Sequence, residues 1–449
     1  MIILITLVAI FISQMNVDNV SAEGEPYKEV KIFVETIALI KKNYVDEVKD
    51  KDLVRGAIKG MLTSLDPHSS FMPPEVYKEL QVNTKGEFGG LGIQISIKDG
   101  VLTVIAPIED TPAYKAGIKA GDKIIKINGK TTKDMSLHDA VTKLRGPRGT
   151  SVTITIFREG LEKPKDIKIV RDIIKIKSVK SKVIDDNIGY VKILEFQQKT
   201  GKELKKAMEK LAEEEINALI LDLRNNPGGL LTSSIDVSSQ FLSPDKLVVY
   251  IKDRKGEKTK YFSRKTSRVY DYPMIVLVNQ GSASASEIVA GALQDWGKAV
   301  VLGTQTFGKG SVQTVIPLSD GSGLRLTTAR YYTPKDRSIQ AKGIEPDIAV
   351  ELVSADGVKG HPAIREKDLE RHLDNDTEEK QKEGMKLEEE EKKDNEIKDK
   401  DEDKEGEEEE PERMRLPRKE ISEEDDMQLQ RAIDLLKIWR VFKKLPEAA

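Results

Sequence analysis

The 449-residue sequence contains no cysteine, and this absence excludes several kinds of chemistry. Without thiols the chain forms no disulfide, no thiolate-ligated zinc site and no cysteine nucleophile. Histidine is scarce too, with only four copies in the whole chain, at His68, His138, His361 and His372. The net charge of −3 offers no basic excess for nucleic acid, so we expect no nucleic-acid partner. No motif implies a metal or an organic cofactor.

The N-terminus carries an apolar run over residues 1–12 and then turns polar. The run is too short for a membrane-spanning helix, which needs about 20 apolar residues. It matches the apolar region of a signal peptide, with Val20-Ser21-Ala22 as a small-residue cleavage site. No lysine or arginine precedes it, so either the start codon is misassigned or the segment stays uncleaved and associates with a membrane. We expect a signal peptide over residues 1–22 and export to the periplasm or another extracytoplasmic compartment.

Four further segments differ in their apolar patterns. Residues 23–85 have helical spacing, residues 86–171 form short alternating strands, and residues 172–356 alternate strands with longer helices. The last pattern predicts an α/β domain in which helices cover the sheet. Residues 357–449 include an acidic run, 388–410, that cannot bury a core. We therefore predict a disordered acidic tail that is dispensable after residue 353. It ends in an amphipathic helix over residues 422–443, whose apolar stripe is Leu429, Ala432, Ile433, Leu436 and Trp439.

A glycine-rich bend opens the strand at residues 93–97. Such a bend can aim several backbone N–H groups at one anion. With the stretch 110–129, which ends in the tight turn Asn128-Gly129, the unit 86–171 resembles a PDZ domain. Taken alone, these glycines would also suit tight turns in any small β domain. The resemblance implies that substrate tails with apolar C-termini pair with the strand. It places the tail-binding residues in the bend and on the helix 136–144, namely Gly90, Leu91, Gly92, Ile93, Val141 and Leu144.

A run of very small residues, 281–286, joins an apolar strand to a helix, with Ser284 in its middle. A sharp strand-to-helix turn without bulky side chains exposes a nucleophile to substrate. The same small-residue run is also a common structural device at helix N-termini. By itself it therefore makes Ser284 only a candidate nucleophile.

The base for such a serine is usually histidine, yet none lies between residues 171 and 353. A histidine triad would therefore have to borrow across domains, and lysine is the remaining known option. Lys309 lies between glycines in Phe307-Gly308-Lys309-Gly310, with no carboxylate near it in sequence. To act as a base it must be neutral, which requires burial to lower its pKa. Most loop lysines are merely exposed, and the pairing with the Ser284 run favours the catalytic interpretation.

A third motif ends the strand at residues 218–223 in Asn226-Pro227-Gly228-Gly229. The backbone N–H groups of Gly228 or Gly229, together with that of Ala285, could form an oxyanion hole. A simple turn would explain the same residues.

These motifs, in this order and after a PDZ-like unit, resemble the carboxyl-terminal processing peptidases over residues 27–353. The resemblance implies a crotonase-like α/β core with an inserted PDZ domain, and a homodimer formed through the N-terminal helices of residues 23–85. It also implies that Ser284 is the nucleophile, that Lys309 is the general base and that Gln313 orients it. Glu287 and Asp295 match acidic positions tied to activity in some members, although a cap or a surface position would explain them equally well.

Two other functions remain to be weighed against this serine endopeptidase. A catalytically silent PDZ adaptor would lack a competent serine and lysine, whereas both are present. A crotonase-like acyl-CoA enzyme would need neither export nor a tail-binding module.

Overall fold

The computed structural model describes residues 25–185, 187–351, 364–375 and 425–443, in two units that divide after Leu65. The expected signal segment and the acidic run at 388–410 lie outside the described residues. Among the described helices, none is both long and apolar enough to cross a membrane. The first unit contains the helices α1 (Glu25–Asn43) and α2 (Asp50–Thr63). Several apolar side chains of α1 are largely exposed, namely Val30, Ile32, Phe33, Val34 and Leu39.

The second unit opens with a short strand and a helix, β1 (Ser70–Met72) and α3 (Pro74–Lys85). A small β domain follows. Its elements are β2 (Glu87–Gly90), β3 (Ile93–Lys98), β4 (Val101–Pro107), α4 (Pro112–Lys115), β5 (Lys123–Ile127), β6 (Lys130–Thr131), α5 (Leu137–Leu144), β7 (Ser151–Phe157), β8 (Lys165–Val170) and β9 (Asp172–Lys175). Its sheet has the order β3-β4-β5-β7-β8, with β6 beside β5. Its core is a cluster of buried aliphatic residues that includes Ile124, Ile154 and Ile156.

Strands β2 and β9 pair with each other as a separate two-stranded ribbon, where the chain enters and leaves this β domain. The start of this ribbon and the end of helix α3 contact the segment that contains Gln198 and Lys199. Gln198 N–H donates to the carbonyl of Thr84, and Lys199 forms an ion pair with Glu87. The β domain is therefore joined to the rest of the unit through one narrow neck.

The larger part of this unit is mixed α/β. Its elements are β10 (Val179–Ile184), β11 (Ile188–Ile193), α6 (Thr200–Glu213), β12 (Ala218–Asp222), α7 (Leu231–Ser238), β13 (Leu247–Asp253), β14 (Lys258–Phe262), β15 (Met274–Val278), α8 (Ala285–Asp295), β16 (Val300–Gly303), β17 (Ser311–Pro317), β18 (Gly323–Tyr332) and β19 (Ile348–Ala349). A six-stranded sheet has the order β10-β11-β12-β15-β16-β19, parallel from β11 onward. A second sheet has the order β1-β18-β13-β14, with β17 also on β18.

The central strands β12 and β15 are buried at every residue, as expected for parallel strands covered on both faces. On one face, Leu219, Leu221 and Val276 pack with residues of α6, α7 and α8 in the main core. On the other face, Ile220, Ile275 and Leu277 belong to a second cluster.

That second cluster is completed by the terminal helix α9 (Met427–Phe442), whose buried apolar side chains are Leu429, Ala432, Ile433 and Leu436. Of the expected stripe, Trp439 alone lies mostly outside, 56% exposed. The helix starts one turn later than its sequence pattern indicated, because Asp426 is the N-cap and accepts from Leu429 N–H. Burying the three large aliphatic side chains contributes about 1.5–3 kcal/mol each. The expectation that everything after residue 353 is dispensable for the fold is therefore wrong for this helix.

Candidate active site

Ser284 sits at the turn between strand β15 and helix α8. It is the residue just before the helix, with φ 54° and ψ −112°, a backbone conformation that costs a non-glycine residue about 1–3 kcal/mol. The turn is fixed by Asn226, whose carbonyl accepts from Ala283 N–H and from the Ser286 hydroxyl. The small-residue run thus makes the sharp strand-to-helix turn that its composition predicted. Ser284 is 9% exposed at this point.

Glu287 connects this turn to the loop that carries Lys309. Its Oε2 accepts from Ser284 N–H at 2.8 Å and from Lys309 N–H at 2.9 Å. Its Oε1 accepts from the Thr306 hydroxyl at 2.6 Å and from Gly308 N–H at 2.7 Å. One carboxylate oxygen therefore bridges the backbones of the two candidate catalytic residues, which are 25 positions apart in sequence. The structure brings them together, with Glu287 as the connecting residue.

Burial is the largest influence on the pKa values of both Glu287 and Lys309. Glu287 is completely buried, and burial raises its pKa to about 7, against the opposing effect of its four hydrogen bonds. Burial also lowers the pKa of Lys309, which favours the neutral amine. Nearby Glu366, Glu287 and Asp66 oppose that shift, whereas Arg325 adds to it. Lys309 thus has the environment that a lysine base requires.

Gln313 lies on strand β17, four residues after Lys309. Its amide donates to the Ser311 hydroxyl at 2.9 Å and, more weakly, to the Thr327 hydroxyl at 3.4 Å. Thr327 in turn donates to Asp66 Oδ1, which joins Gln313 to the turn before β1. The side chain is thus held in place beside the loop of Lys309.

The three expected oxyanion donors are the backbone N–H groups of Gly228, Gly229 and Ala285, and only that of Gly228 has an acceptor among the described residues. Gly228 N–H donates to Asn226 Oδ1 at 2.9 Å and is therefore already engaged. Among the described residues, neither Gly229 N–H nor Ala285 N–H donates to any acceptor. A Cβ at Gly228 would lie 2.9 Å from the Ser284 Cβ, so this glycine directly faces Ser284. The geometry favours the N–H groups of Ala285 and Gly229 as donors, whereas Gly228 contributes the close backbone contact with Ser284.

Asp295 lies at the opposite end of helix α8 from Ser284, about 16 Å away at 1.5 Å per residue. Its side chain accepts from Lys335 N–H at 2.8 Å and pairs with Arg337. These contacts hold the segment after β18 against the helix. Among the described residues, the hydrogen-bond and ion-pair partners of the Asp295 side chain are Lys335 and Arg337, which lie outside the loop of Lys309.

Sequence reasoning did not find several residues around the site. Tyr331 on β18 donates its N–H to the carbonyl of Gly310, and its buried phenol lies near the Ser284 side chain. Burial raises the pKa of this phenol well above its ordinary value. The only signal for Tyr331 was its position in the aromatic pair that precedes Thr333-Pro334.

His68 precedes β1 and lies outside the part of the sequence that carries the Ser284 and Lys309 motifs. Its Nε2 lies 2.9 and 2.7 Å from the two carboxylate oxygens of Glu366. Glu366 belongs to the segment 364–375, which the sequence placed in the tail, and its backbone N–H donates to the carbonyl of Phe307. A histidine and a tail residue thus meet beside the loop of Lys309.

The expected peptide groove lies between strand β3 and helix α5. Strand β3 is at the edge of its sheet, so its outer side is open to a further strand. Gly92 has φ 80°, and among the described residues the N–H groups of Leu91 and Gly92 have no acceptor. Leu91 and Leu144 are buried in the domain core, while Ile93 and Val141 are half-buried. The groove has the open edge, the free N–H groups and the apolar lining that binding of a C-terminal tail requires.

Comparison with known proteins identifies the family of the chain. Residues 187–350 match peptidase family S41, residues 103–158 match a PDZ domain, and residues 11–76 match the N-terminal domain of the activating protease CtpB. A solved structure, the photosystem II D1 C-terminal processing protease, is 29% identical; the match covers 73% of this chain and 96% of that one, with a TM-score of 0.43.

Two curated relatives are more similar in sequence. The carboxy-terminal-processing protease of Bartonella bacilliformis is 48% identical over 357 residues, covering 78% of this chain and 82% of the relative. The carboxy-terminal processing protease CtpB of Bacillus subtilis is 38% identical over 333 residues, covering 73% and 69%. The acyl-CoA enzyme and the silent adaptor have no support in these matches. The chain belongs to peptidase family S41, among the carboxy-terminal processing proteases, and is a serine-type peptidase with a PDZ domain.

Proposed function

We propose that the chain is an endopeptidase in which Ser284 is the nucleophile and Lys309 the general base. The observation that carries the proposal is the shared Glu287 oxygen, which fixes the backbones of both residues in one cluster. Neutral Lys309 takes the hydroxyl proton as Ser284 attacks the scissile carbonyl, and it later gives the proton to the leaving amine. Water then attacks the acyl-enzyme, and a proton passes through Lys309 back to Ser284.

The remaining groups assist these two steps. Ala285 N–H and Gly229 N–H, which have no acceptor among the described residues, stabilise the oxyanion at about 3–4 kcal/mol per donor. Gln313 orients Lys309 from its position on β17. The mixed α/β core around them is, in this proposal, crotonase-like, and its boundaries are residues 172–356 with the terminal helix added.

The test is turnover of an unfolded model protein by Ser284→Ala and Lys309→Ala. Both variants should lose at least 10³-fold in activity, because each removes a group used in the chemical step. Ser319→Ala and Lys342→Ala, at exposed positions of the same unit, are matched controls and should keep wild-type activity. Residual activity within about tenfold of wild type in either dyad variant, with unchanged thermal melting, would refute the assignment.

We further propose that the PDZ domain captures protein substrates by apolar C-terminal tails. The support is the open edge of β3 and the free N–H groups of the bend at Leu91 and Gly92. A free carboxylate accepts from these N–H groups, and the last side chain contacts Val141 and Ile93. A model substrate ending in apolar residues should be cleaved faster than the same protein with an amidated C-terminus. Equal rates would show that the groove does not select tails.

Assembly and location complete the proposal. The exposed apolar face of α1 supports a homodimer through the N-terminal helices. Sedimentation of the Phe33→Glu variant tests this, because the variant should be monomeric.

The apolar N-terminal run supports export, with or without retention on a membrane. Fractionation of cells that express the full chain would distinguish the released from the anchored form, and cytoplasmic recovery would contradict export.

A further inference from the structure

Glu366 is a completely buried carboxylate that the peptidase mechanism does not use. It begins a single 3₁₀ turn, Glu366–Asp368, in the segment that follows the core in sequence. A buried carboxylate is costly unless donors surround it. Its donors here are the His68 ring and the Gln340 amide, the latter at 2.9 Å from Oε1.

Glu366 contacts both ends of the loop that presents Lys309, with its backbone at one end and its carboxylate, through Gln340, at the other. On the N-terminal side, Glu366 N–H donates to the carbonyl of Phe307. On the C-terminal side, Gln340 accepts from Gly310 N–H at 3.1 Å through its Oε1, while its Nε2 binds Glu366. Glu366 and His68 are therefore held against the base loop from two directions, independently of Glu287.

The charges around Lys309 come from several elements. Glu366, Glu287 and Asp66 favour its protonated form, and Arg325 on β18 opposes it. Two charged neighbours of Glu366 in the chain point elsewhere: Arg365 binds Gln305 and the Lys342 carbonyl, and Lys367 is exposed. Among the titratable groups of the described residues, only His68 donates to Glu366, and the backbone N–H of His68 donates to Asp66 Oδ1.

We propose that His68 and Glu366 are positioning residues that set the protonation of the general base. Glu366 supplies negative charge at the loop of Lys309, and His68 withdraws part of that charge by donating to both carboxylate oxygens. The proposal rests on the proposed role of Lys309 as base. It adds that the strength of the base is set by two residues outside the dyad, one of them contributed by the chain after the core.

The experiment is the pH dependence of kcat/KM for a short fluorogenic peptide, which does not need the PDZ groove. The acid limb of this profile reports deprotonation of the free enzyme's base. Glu366→Gln removes a charge that favours the lysine cation, so the limb should move about one pH unit lower. His68→Ala leaves the Glu366 charge unopposed, so the limb should move about one unit higher. Glu370→Gln, at an exposed glutamate of the same segment, should move nothing.

The double variant His68→Ala/Glu366→Gln separates electrostatics from packing. If His68 acts only through Glu366, its replacement should shift the limb no further once Glu366 is neutral. His68→Gln, which keeps a donor, provides a second probe if His68→Ala does not fold, and it should shift the limb less than one unit upward.

Unchanged limbs in both single variants, or shifts of the same sign in both, would overturn the inference. Failure of the proposed function gives a different result, because Lys309→Ala would then remain active. Loss of activity in Lys309→Ala with unmoved limbs would leave the dyad standing and refute only the role of His68 and Glu366.

Discussion

The buried carboxylate of Glu287 should make the stability of the peptidase core depend on pH in a specific direction. Its pKa is about 7 in the folded protein against an ordinary 4.5, because burial disfavours the charged form. The folded state therefore binds the proton more tightly than the unfolded state does. Stability from this group is fully present below pH 4.5 and is lost as pH rises through 7. At 1.36 kcal/mol per unit, the loss is on the order of 3 kcal/mol.

Glu287→Gln should abolish this dependence, since glutamine does not titrate. The variant also changes absolute stability, because an amide nitrogen in place of Oε1 leaves Gly308 N–H without an acceptor. The informative quantity is therefore the slope against pH. We expect the unfolding free energy of the parent, relative to the variant, to fall by on the order of 3 kcal/mol between pH 5 and 8.5.

Urea unfolding followed by tryptophan fluorescence measures this quantity for the core. Both tryptophans, Trp296 and Trp439, lie outside the PDZ domain, so the signal does not report PDZ unfolding. A Ser284→Ala background prevents digestion of unfolded chains, and Glu345→Gln at an exposed site is the matched control. A parent-minus-variant difference that stays constant over this pH range, within about 0.5 kcal/mol, would show that Glu287 is ionised throughout and refute the argument.

Three further outcomes are expected. Ile433→Ala on the terminal helix should lower the unfolding free energy by about 2–5 kcal/mol in urea melts, whereas Ile438→Ala, 47% exposed, should cost less than about 1 kcal/mol; equal costs would contradict packing on the sheet. Gly228→Ala should reduce peptide turnover by more than about tenfold, because its φ of 101° and the contact with Ser284 leave no room for a Cβ; unchanged turnover would place the site elsewhere. Val141→Trp should slow cleavage of apolar-tailed proteins and spare short peptides, and equal losses on both would indicate misfolding of the PDZ domain.

Local features of the site could be predicted from the sequence. The small-residue run around Ser284 is compatible with a sharp turn before a helix, and the scarcity of histidine directed attention to Lys309. The groove of the PDZ domain follows from the order of its glycines and strands. In each case the information lies within a few residues, which is the range over which backbone preference and side-chain size act.

Other features depend on contacts between distant segments, which periodicity does not reveal. His68 and Glu366 are 298 positions apart, and neither position is unusual in its local pattern. The terminal helix could be recognised as amphipathic, but its partner surface could not. Its apolar stripe packs against residues of strands β11, β12, β15 and β16. Because these strands are apolar along their whole length, the sequence did not indicate which face of the sheet the helix would cover.

The terminal helix also fastens the segment next to Ser284 to a distant part of the chain. Arg224, two residues before Asn226, is held by both carboxylate oxygens of Asp426 at 2.7 Å. During synthesis α9 is made after Ser284 and Lys309, so until Leu436 has emerged one face of the central sheet stays uncovered and Arg224 lacks this partner. A nascent chain therefore holds Ser284 and Lys309 well before it can close the core around them.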